Sequence, residues 1–252
     1  MRSSIIDDLN LAADEILAAL EAQDDWGFSG VRPGQYVSDL AADQAAVAVL
    51  SGAGYGVLSE ESGLHHPERE IVVVVDPLDG STNAHRGIPW FGVSLCAVER
   101  TPGAGPRPVA AVVVDLPGHR RFSAERGAGA WLAGERLGVA PAVPLEEAIV
   151  GISGLPPAHL GWAQFRALGA AALDLCAVAA GTLDAFVDCS VDAHGAWDYL
   201  GGLLVCTEAG GVVADMHQRN LVVLDHTARR TPVAASSPTL LNQLVTGFIE
   251  AS

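Results

Sequence analysis

Lysine is missing from this chain altogether, and its 14 basic side chains, all arginine, stand against 30 aspartates and glutamates for a formal net charge of -16. Without lysine there is no Schiff-base nucleophile, no Walker-type phosphate lysine and no lysine general base. The acidic excess argues against a nucleic-acid backbone or an anionic membrane surface as partner. It also poses a problem for any phosphorylated small molecule, which would be repelled in the same way. A phosphate site here needs positive charge from arginine, from helix N-termini or from bound cations.

Cysteine is sparse too. Cys96, Cys176, Cys189 and Cys206 lie far apart with no CxxC spacing, which speaks against a zinc site or a redox pair and for reduced, buried thiols. No apolar run is long enough to cross a bilayer, and the first residues form an acid-containing helical pattern rather than a basic and then apolar leader. The expectation is a cytoplasmic protein.

What is present is a chain of 252 residues, half of them apolar, enough for a sizeable core. Ile5, Leu9, Ala12, Ile16 and Leu20 recur at helical spacing, with Ser4 placed to cap, so 4–22 is predicted helical. A second helix is expected over 39–51, ending at Gly52 and Gly54, and then a short strand over 55–58 that delivers Ser59-Glu60-Glu61-Ser62 into a turn. The β-branched run 71–75 reads as a strand buried on both faces that stops at Asp76-Pro77. Segments 91–99, 108–115, 121–125 and 128–132, punctuated by Pro102-Gly103 and Gly127, read as an antiparallel meander.

Beyond about residue 140 the pattern alternates. Strands are expected at 148–153, 184–189, 212–215, 221–224 and 232–235, and helices at 169–180, 197–209 and 238–250. This gives an α+β first half, 1–140, and an α/β second half, 141–252, within one compact unit; the proline-rich stretch 141–144 is the only candidate boundary.

The chemistry concentrates in Asp76-Pro77-Leu78-Asp79-Gly80-Ser81-Thr82-Asn83. Two carboxylates follow a buried strand, then a glycine and two hydroxyls stand where a helix could start. Pro77 fixes the backbone so that Asp76, the Leu78 carbonyl and Asp79 can face one point, an oxygen set suited to a hard cation. Gly80 allows close approach of a ligand, and the amides of Gly80 and Ser81 at a helix start suit phosphate oxygens. In isolation the same residues would serve as well for a helix cap and a strand end. The balance shifts with Glu60-Glu61 at one strand end and Trp197-Asp198 at the start of a helix running to Glu208-Ala209-Gly210-Gly211. Acids with nothing basic nearby in sequence would repel one another in a core, and metal ions are the usual remedy.

These segments, in this order and spacing, resemble the inositol monophosphatase family, the lithium-sensitive phosphatases that also include fructose-1,6-bisphosphatase and the bisphosphate nucleotidases. The resemblance implies a layered αβαβα sandwich and Mg²⁺-dependent hydrolysis of a phosphomonoester of a small cyclitol, sugar or polyol. Related phosphatases of histidinol phosphate, fructose bisphosphate or a 3′-phosphonucleotide are the rivals, with a non-catalytic regulatory member as a further alternative. It implies that Glu60, Asp76 and the Leu78 carbonyl hold one Mg²⁺ and that Asp76, Asp79 and Asp198 hold a second. Asp39, or Asp43 in its place, would assist a third. Ser81 paired with Glu60 would orient the attacking water, Thr82 would support the loop, and the Gly80 and Ser81 amides would bind phosphate.

On the leaving-group side the resemblance points to Ala171, and to Asp192 with a one-residue shift, because counting back from Trp197 puts Val191 where inositol-hydrolysing members carry an acid. The family's lysine is absent, with Gly34-Gln35-Tyr36 in its region. His194 reads as a local hydrogen-bonding residue, and His85, Arg86 and Arg166 as candidates for local positive charge. A homodimer is expected by the same resemblance, with a small phosphorylated substrate as the partner that matters.

Overall fold

In a computed structural model of the chain, residues 4–24, 27–30, 36–101, 103 and 105–251 are described; Gly34, Gln35 and Pro102 lie outside them. The elements run α1 (Ile5–Glu21), α2 (Val37–Ala53), β1 (Gly56–Ser59), β2 (Gly63–His65), β3 (Ile71–Asp79), α3 (Ser81–Arg86), β4 (Gly92–Glu99), β5 (Arg107–Asp115), β6 (Arg120–Glu125), β7 (Gly129–Leu132) and β8 (Glu135–Arg136). Then follow β9 (Ile149–Ser153), β10 (Gln164–Arg166), α4 (Ala171–Ala179), β11 (Ala185–Asp188), α5 (Ala196–Glu208), β12 (Val212–Asp215), β13 (Pro232–Ala235) and α6 (Pro238–Ala251).

The first helix forms where its apolar stripe requires. Ser4 Oγ accepts the Asp7 amide at 3.3 Å while Asp7 returns the bond to the Ser4 amide at 3.2 Å, and Leu9, Ala12, Ile16 and Leu20 are buried. That stripe joins α2 against one face of an eight-stranded sheet ordered β2-β1-β3-β4-β5-β6-β7-β8. The valine run of β3 supplies both faces. Val73 and Val75 point to the α1/α2 side, while Val72 and Val74 point to the opposite core with α4 and α5.

A five-stranded sheet, β10-β9-β11-β13-β12, closes the other side of α4 and α5, whose central core includes Phe186 and Ala234. Its outer face packs on α6 through Leu240, Leu244 and Phe248. The order helix pair, sheet, helix pair, sheet, helix is the expected αβαβα sandwich.

One expected strand does not form: 221–224 is irregular. Tyr199 Oη donates to the Leu221 carbonyl at 2.8 Å, and Leu221 turns into the central core, so the apolar run is spent on packing rather than on a ladder. Conversely, β10 was not foreseen. Its three residues are all exposed at a sheet edge and carry no alternation to read.

Candidate metal and phosphate site

The site lies where strand ends of the first sheet meet the N-termini of helices. β3 pairs with β4 in register from Ile71 to Asp76, then shifts before Asp79, because Pro77 has no amide to give the ladder. The irregularity lets both Asp76 and Asp79 leave the strand toward the helices. Asp76 Oδ1 accepts the Leu78 amide at 3.0 Å, which holds the turn between them. Glu60 follows β1, its amide bonded to the Val75 carbonyl at 3.1 Å, so it stands beside Asp76. Asp198, in the first turn of α5, accepts the Gly195 amide at 2.6 Å.

Glu60, Asp76 and Asp198 offer carboxylate oxygens that all lie within 4.8 Å of one another. Asp79 stands next to that set and is held differently: its Oδ2 accepts the Ala172 amide at 2.8 Å, in the first turn of α4. Asp39 accepts the Tyr36 amide at 2.9 Å in the first turn of α2. Two helix N-termini therefore carry these acids and a third, that of α4, faces Asp79, where the positive ends of the helix dipoles favour negative charge.

The electrostatics show how far this falls short of balancing the acids. Glu60 is pushed up to about 8, first by burial and then by Asp198, Glu61, Asp39 and Asp79. Asp76 lies well above the usual carboxylate range for the same reasons, burial first, then Glu60, Asp79 and Asp198. Asp79 is raised to about 7 by burial and Asp198, even with the Ala172 amide pulling it down. Carboxylates that burial and mutual repulsion together push toward keeping protons near neutral pH, with oxygen donors between them, fit a hard divalent cation.

Other motif residues fall around this cluster. Gly80 is left-handed at φ 82° and serves as N-cap of α3, which Ser81 opens. A Cβ on Gly80 would come within 3.1 Å of the Trp90 carbonyl and 3.2 Å of the Gly169 carbonyl, so any other residue is strained there. Ser81 is half-buried and Thr82 is exposed. Asn83, which the sequence reading placed in the motif without a role, clamps the loop: its Nδ2 donates to the carbonyls of Trp90 and Leu168, each at 2.8 Å. Ala171 is buried at the start of α4. Asp43 is committed elsewhere, accepting the hydroxyls of Ser59 and, at 3.1 Å, Ser62.

The loop between β11 and α5 differs most from expectation. Asp192, left-handed at φ 54°, pairs with Arg219 at 2.7 Å, and Val191 is exposed. The acid that faces the site region is Asp188, fully buried at the end of β11, with no hydrogen-bond partner for its Oδ2. Counting back from Trp197 missed it; the end of a predicted strand was the signal that could have found it.

The acids are also not without a base. His194 lies 3.4 Å from Asp198 and 3.7 Å from Asp188, with Ser153 Oγ at 3.3 Å. Burial pulls its pKa down, but Asp198, Asp188 and Asp79 push harder and hold it at about 9. Ser153 and Asp188 end the parallel neighbours β9 and β11, the carboxyl edge at which open α/β sheets bind ligands. His85, by contrast, stacks on Tyr36 at 4.9 Å, and Arg166 bonds within β10 to Gln164 and Phe165. No helix among the described residues is long and apolar enough to cross a membrane.

The profile of the inositol monophosphatase family matches residues 37–249. An inositol-1-monophosphatase of Mesorhizobium japonicum is 39% identical over 206 residues, 73% of either chain. A Nus factor SuhB of Pasteurella multocida is 34% identical over 226 residues, 82% of this chain and 81% of the other. Among solved structures, an extragenic suppressor protein suhB of Bartonella henselae superposes with a TM-score of 0.80 at 28% identity, over 99% of this chain and 100% of that one. A Pyrococcus horikoshii protein with similarities for inositol-1 monophosphatase gives 0.82 at 26% identity, over 96% and 95% of the two chains. The chain belongs to the inositol monophosphatase family.

Proposed function

We propose that this protein is a Mg²⁺-dependent phosphatase that releases phosphate from a monoester of a small cyclitol, sugar or polyol. The observation that carries the reading is the packed set of Glu60, Asp76 and Asp198, with Asp79 beside it, at the N-termini of α4 and α5. Glu60, Asp76 and the Leu78 carbonyl would hold one ion, and Asp76, Asp79 and Asp198 a second. For a third, Asp39 is preferred to Asp43, since Asp39 acts electrostatically on Glu60 while Asp43 is taken up by two serine hydroxyls. When bound, Mg²⁺ would supply the positive charge that the lysine-free chain lacks and lower the pKa of a water.

The chain's own groups then divide the remaining work. Ser81 with Glu60 orients the water, the Gly80 and Ser81 amides receive phosphate oxygens, and Thr82 supports that loop. Ala171 leaves room for the leaving group. Its hydroxyls are assigned to His194 and Ser153, with the buried Asp188 behind His194, rather than to Asp192, which Arg219 occupies. A homodimer and a cytoplasmic location belong to the same proposal; light scattering checks the first.

Several relatives named Nus factor SuhB favour a second reading, a regulatory protein that keeps the site without using it. Retaining mutually repelling carboxylates is costly unless a cation is used, which favours catalysis. The test is phosphate release from inositol 1-phosphate, histidinol phosphate, fructose 1,6-bisphosphate and a 3′-phosphonucleotide, each with and without Mg²⁺. Turnover of the cyclitol ester that needs Mg²⁺ is expected; no turnover of any substrate would leave the regulatory reading.

A further inference from the structure

We infer that His226 is a positioning residue that fixes the spacing of the metal-holding carboxylates, an inference that rests on the phosphatase reading above. The loop from Leu221 to Arg230 crosses from the second sheet to the end of β1. There His226 Nε2 lies 3.0 Å from the Glu60 carbonyl oxygen, and the imidazole packs on Trp197 with ring centroids 4.9 Å apart. A carbonyl oxygen only accepts, so Nε2 carries the proton in this contact.

The loop is braced from within. The Arg229 guanidinium sits 5.0 Å from the Trp197 ring centroid, and its Nη1 donates to the carbonyls of His226 at 2.8 Å and Ala228 at 3.0 Å. Trp197 in turn is fixed: it is buried, its carbonyl accepts Ser94 Oγ at 3.1 Å, and its ring fills the space a Cβ on Gly195 would need.

The consequence concerns the acids on either side. Glu60 and Asp198 belong to different elements and repel each other. The Glu60 peptide is pinned at its amide by the Val75 carbonyl, beside Asp76, and at its own carbonyl by His226, which rests on Trp197, the neighbour of Asp198. One chain of contacts thus spans all three carboxylates and opposes their drift apart. Holding ligands in place before the ion arrives lowers the cost of binding it. Nothing in the local sequence Asp225-His226-Thr227 signals this role, because it exists only through the crossing of the loop.

Three variants of the full chain separate the parts. His226→Phe keeps a ring on Trp197 and removes the donor, His226→Gln returns a donor, and His226→Ala removes both. The measurements are calorimetric Mg²⁺ affinity and the Mg²⁺-induced rise in melting temperature, with the metal-free melting temperature as the control for folding. The phenylalanine and alanine variants are expected to bind Mg²⁺ on the order of tenfold more weakly, with glutamine recovering most of the loss. Phosphate release at saturating Mg²⁺ should stay within about threefold of wild type, since the brace acts on metal occupancy.

A folded His226→Phe with wild-type Mg²⁺ affinity, or a His226→Gln no better than phenylalanine, would overturn the inference. If the phenylalanine variant fails to fold, Arg229→Gln, which leaves His226 in place and loosens its loop, must weaken Mg²⁺ in the same direction or the inference fails. A wild-type protein that binds no Mg²⁺ would sink the metal reading itself, a distinct result.

Discussion

At the scale of single residues, the clustered acids are a burden on the fold once they are ionised, and retained protons or a cation relieve it. Asp79 is the clearest case, because its Oδ2 is held by the Ala172 amide while Asp198 repels it. Asp79→Asn removes a charge but keeps an oxygen for that amide. The metal-free melting temperature is therefore expected to hold or rise, while phosphate release falls by about a hundredfold or more. Unchanged activity with intact folding would refute the assignment of Asp79. Gly80 bears the opposite kind of constraint, since it is steric rather than electrostatic. Gly80→Ala forces a left-handed alanine with its Cβ 3.1 Å from the Trp90 carbonyl. A loss of about 1–2 kcal/mol is expected, seen as a drop of roughly 2–8 °C in melting temperature. Phosphate release should fall with it, and a variant as stable and active as wild type would show that the loop has slack.

At the scale of elements, what could be read from sequence follows from what each element needs. Helix α1 and the valine strand β3 were legible because their burial is periodic and local. The run 221–224 was misread because its side chains are as apolar as a strand's, while its fate depends on Tyr199 claiming the Leu221 carbonyl from far away in sequence. The site divides in the same way. The Asp-Pro-Leu-Asp-Gly loop could be recognised because one short segment holds most of its geometry. Asp188 was marked only by its place at the end of a predicted strand, and His194 and His226 were not marked as site neighbours, since their contacts with Asp188, Asp198 and the Glu60 carbonyl exist only in the fold. Asp192 shows the converse, a motif neighbour drawn off by Arg219.

The Arg219 network makes a prediction at this scale. Asp215 is buried and accepts bonds from Arg219 and from the amides of His217, Arg219 and Thr231, which outweigh its burial and hold it at about 2. A depressed carboxylate contributes stability that is present above its ordinary value near 3.8 and is lost as pH falls toward 2. Allowing for the partial exposure of Arg219, that contribution is about 1–2 kcal/mol. Arg219→Gln should cost a part of this in urea unfolding at pH 5, because the amides of His217, Arg219 and Thr231 still hold Asp215, and the difference from wild type should shrink between pH 4 and pH 2. A gap independent of pH across that window would show that the ion pair does not set the stability of this turn.

At the scale of the whole molecule, the net charge of -16 and the acid cluster pose one problem and share one remedy. Glu60 and Asp79 have folded-state values of about 8 and 7, above their ordinary ones of 4.5 and 3.8. The folded, metal-free chain therefore holds more protons than the unfolded chain between about pH 4 and pH 8, so its stability must fall as pH rises through that range. A cation needs these groups ionised, so binding releases the retained protons and grows tighter over the same interval. Two measurements on one sample test the argument. The metal-free melting temperature should decline from pH 5.5 to pH 8.5, and the rise produced by Mg²⁺ should be several degrees larger at pH 8.5 than at pH 6. Na⁺ at matched ionic strength separates specific occupancy from general screening of the acidic surface, because screening acts on every exposed carboxylate and would reward both salts alike. A Mg²⁺ effect that is the same at both pH values would mean that the buried acids are not where the ion binds.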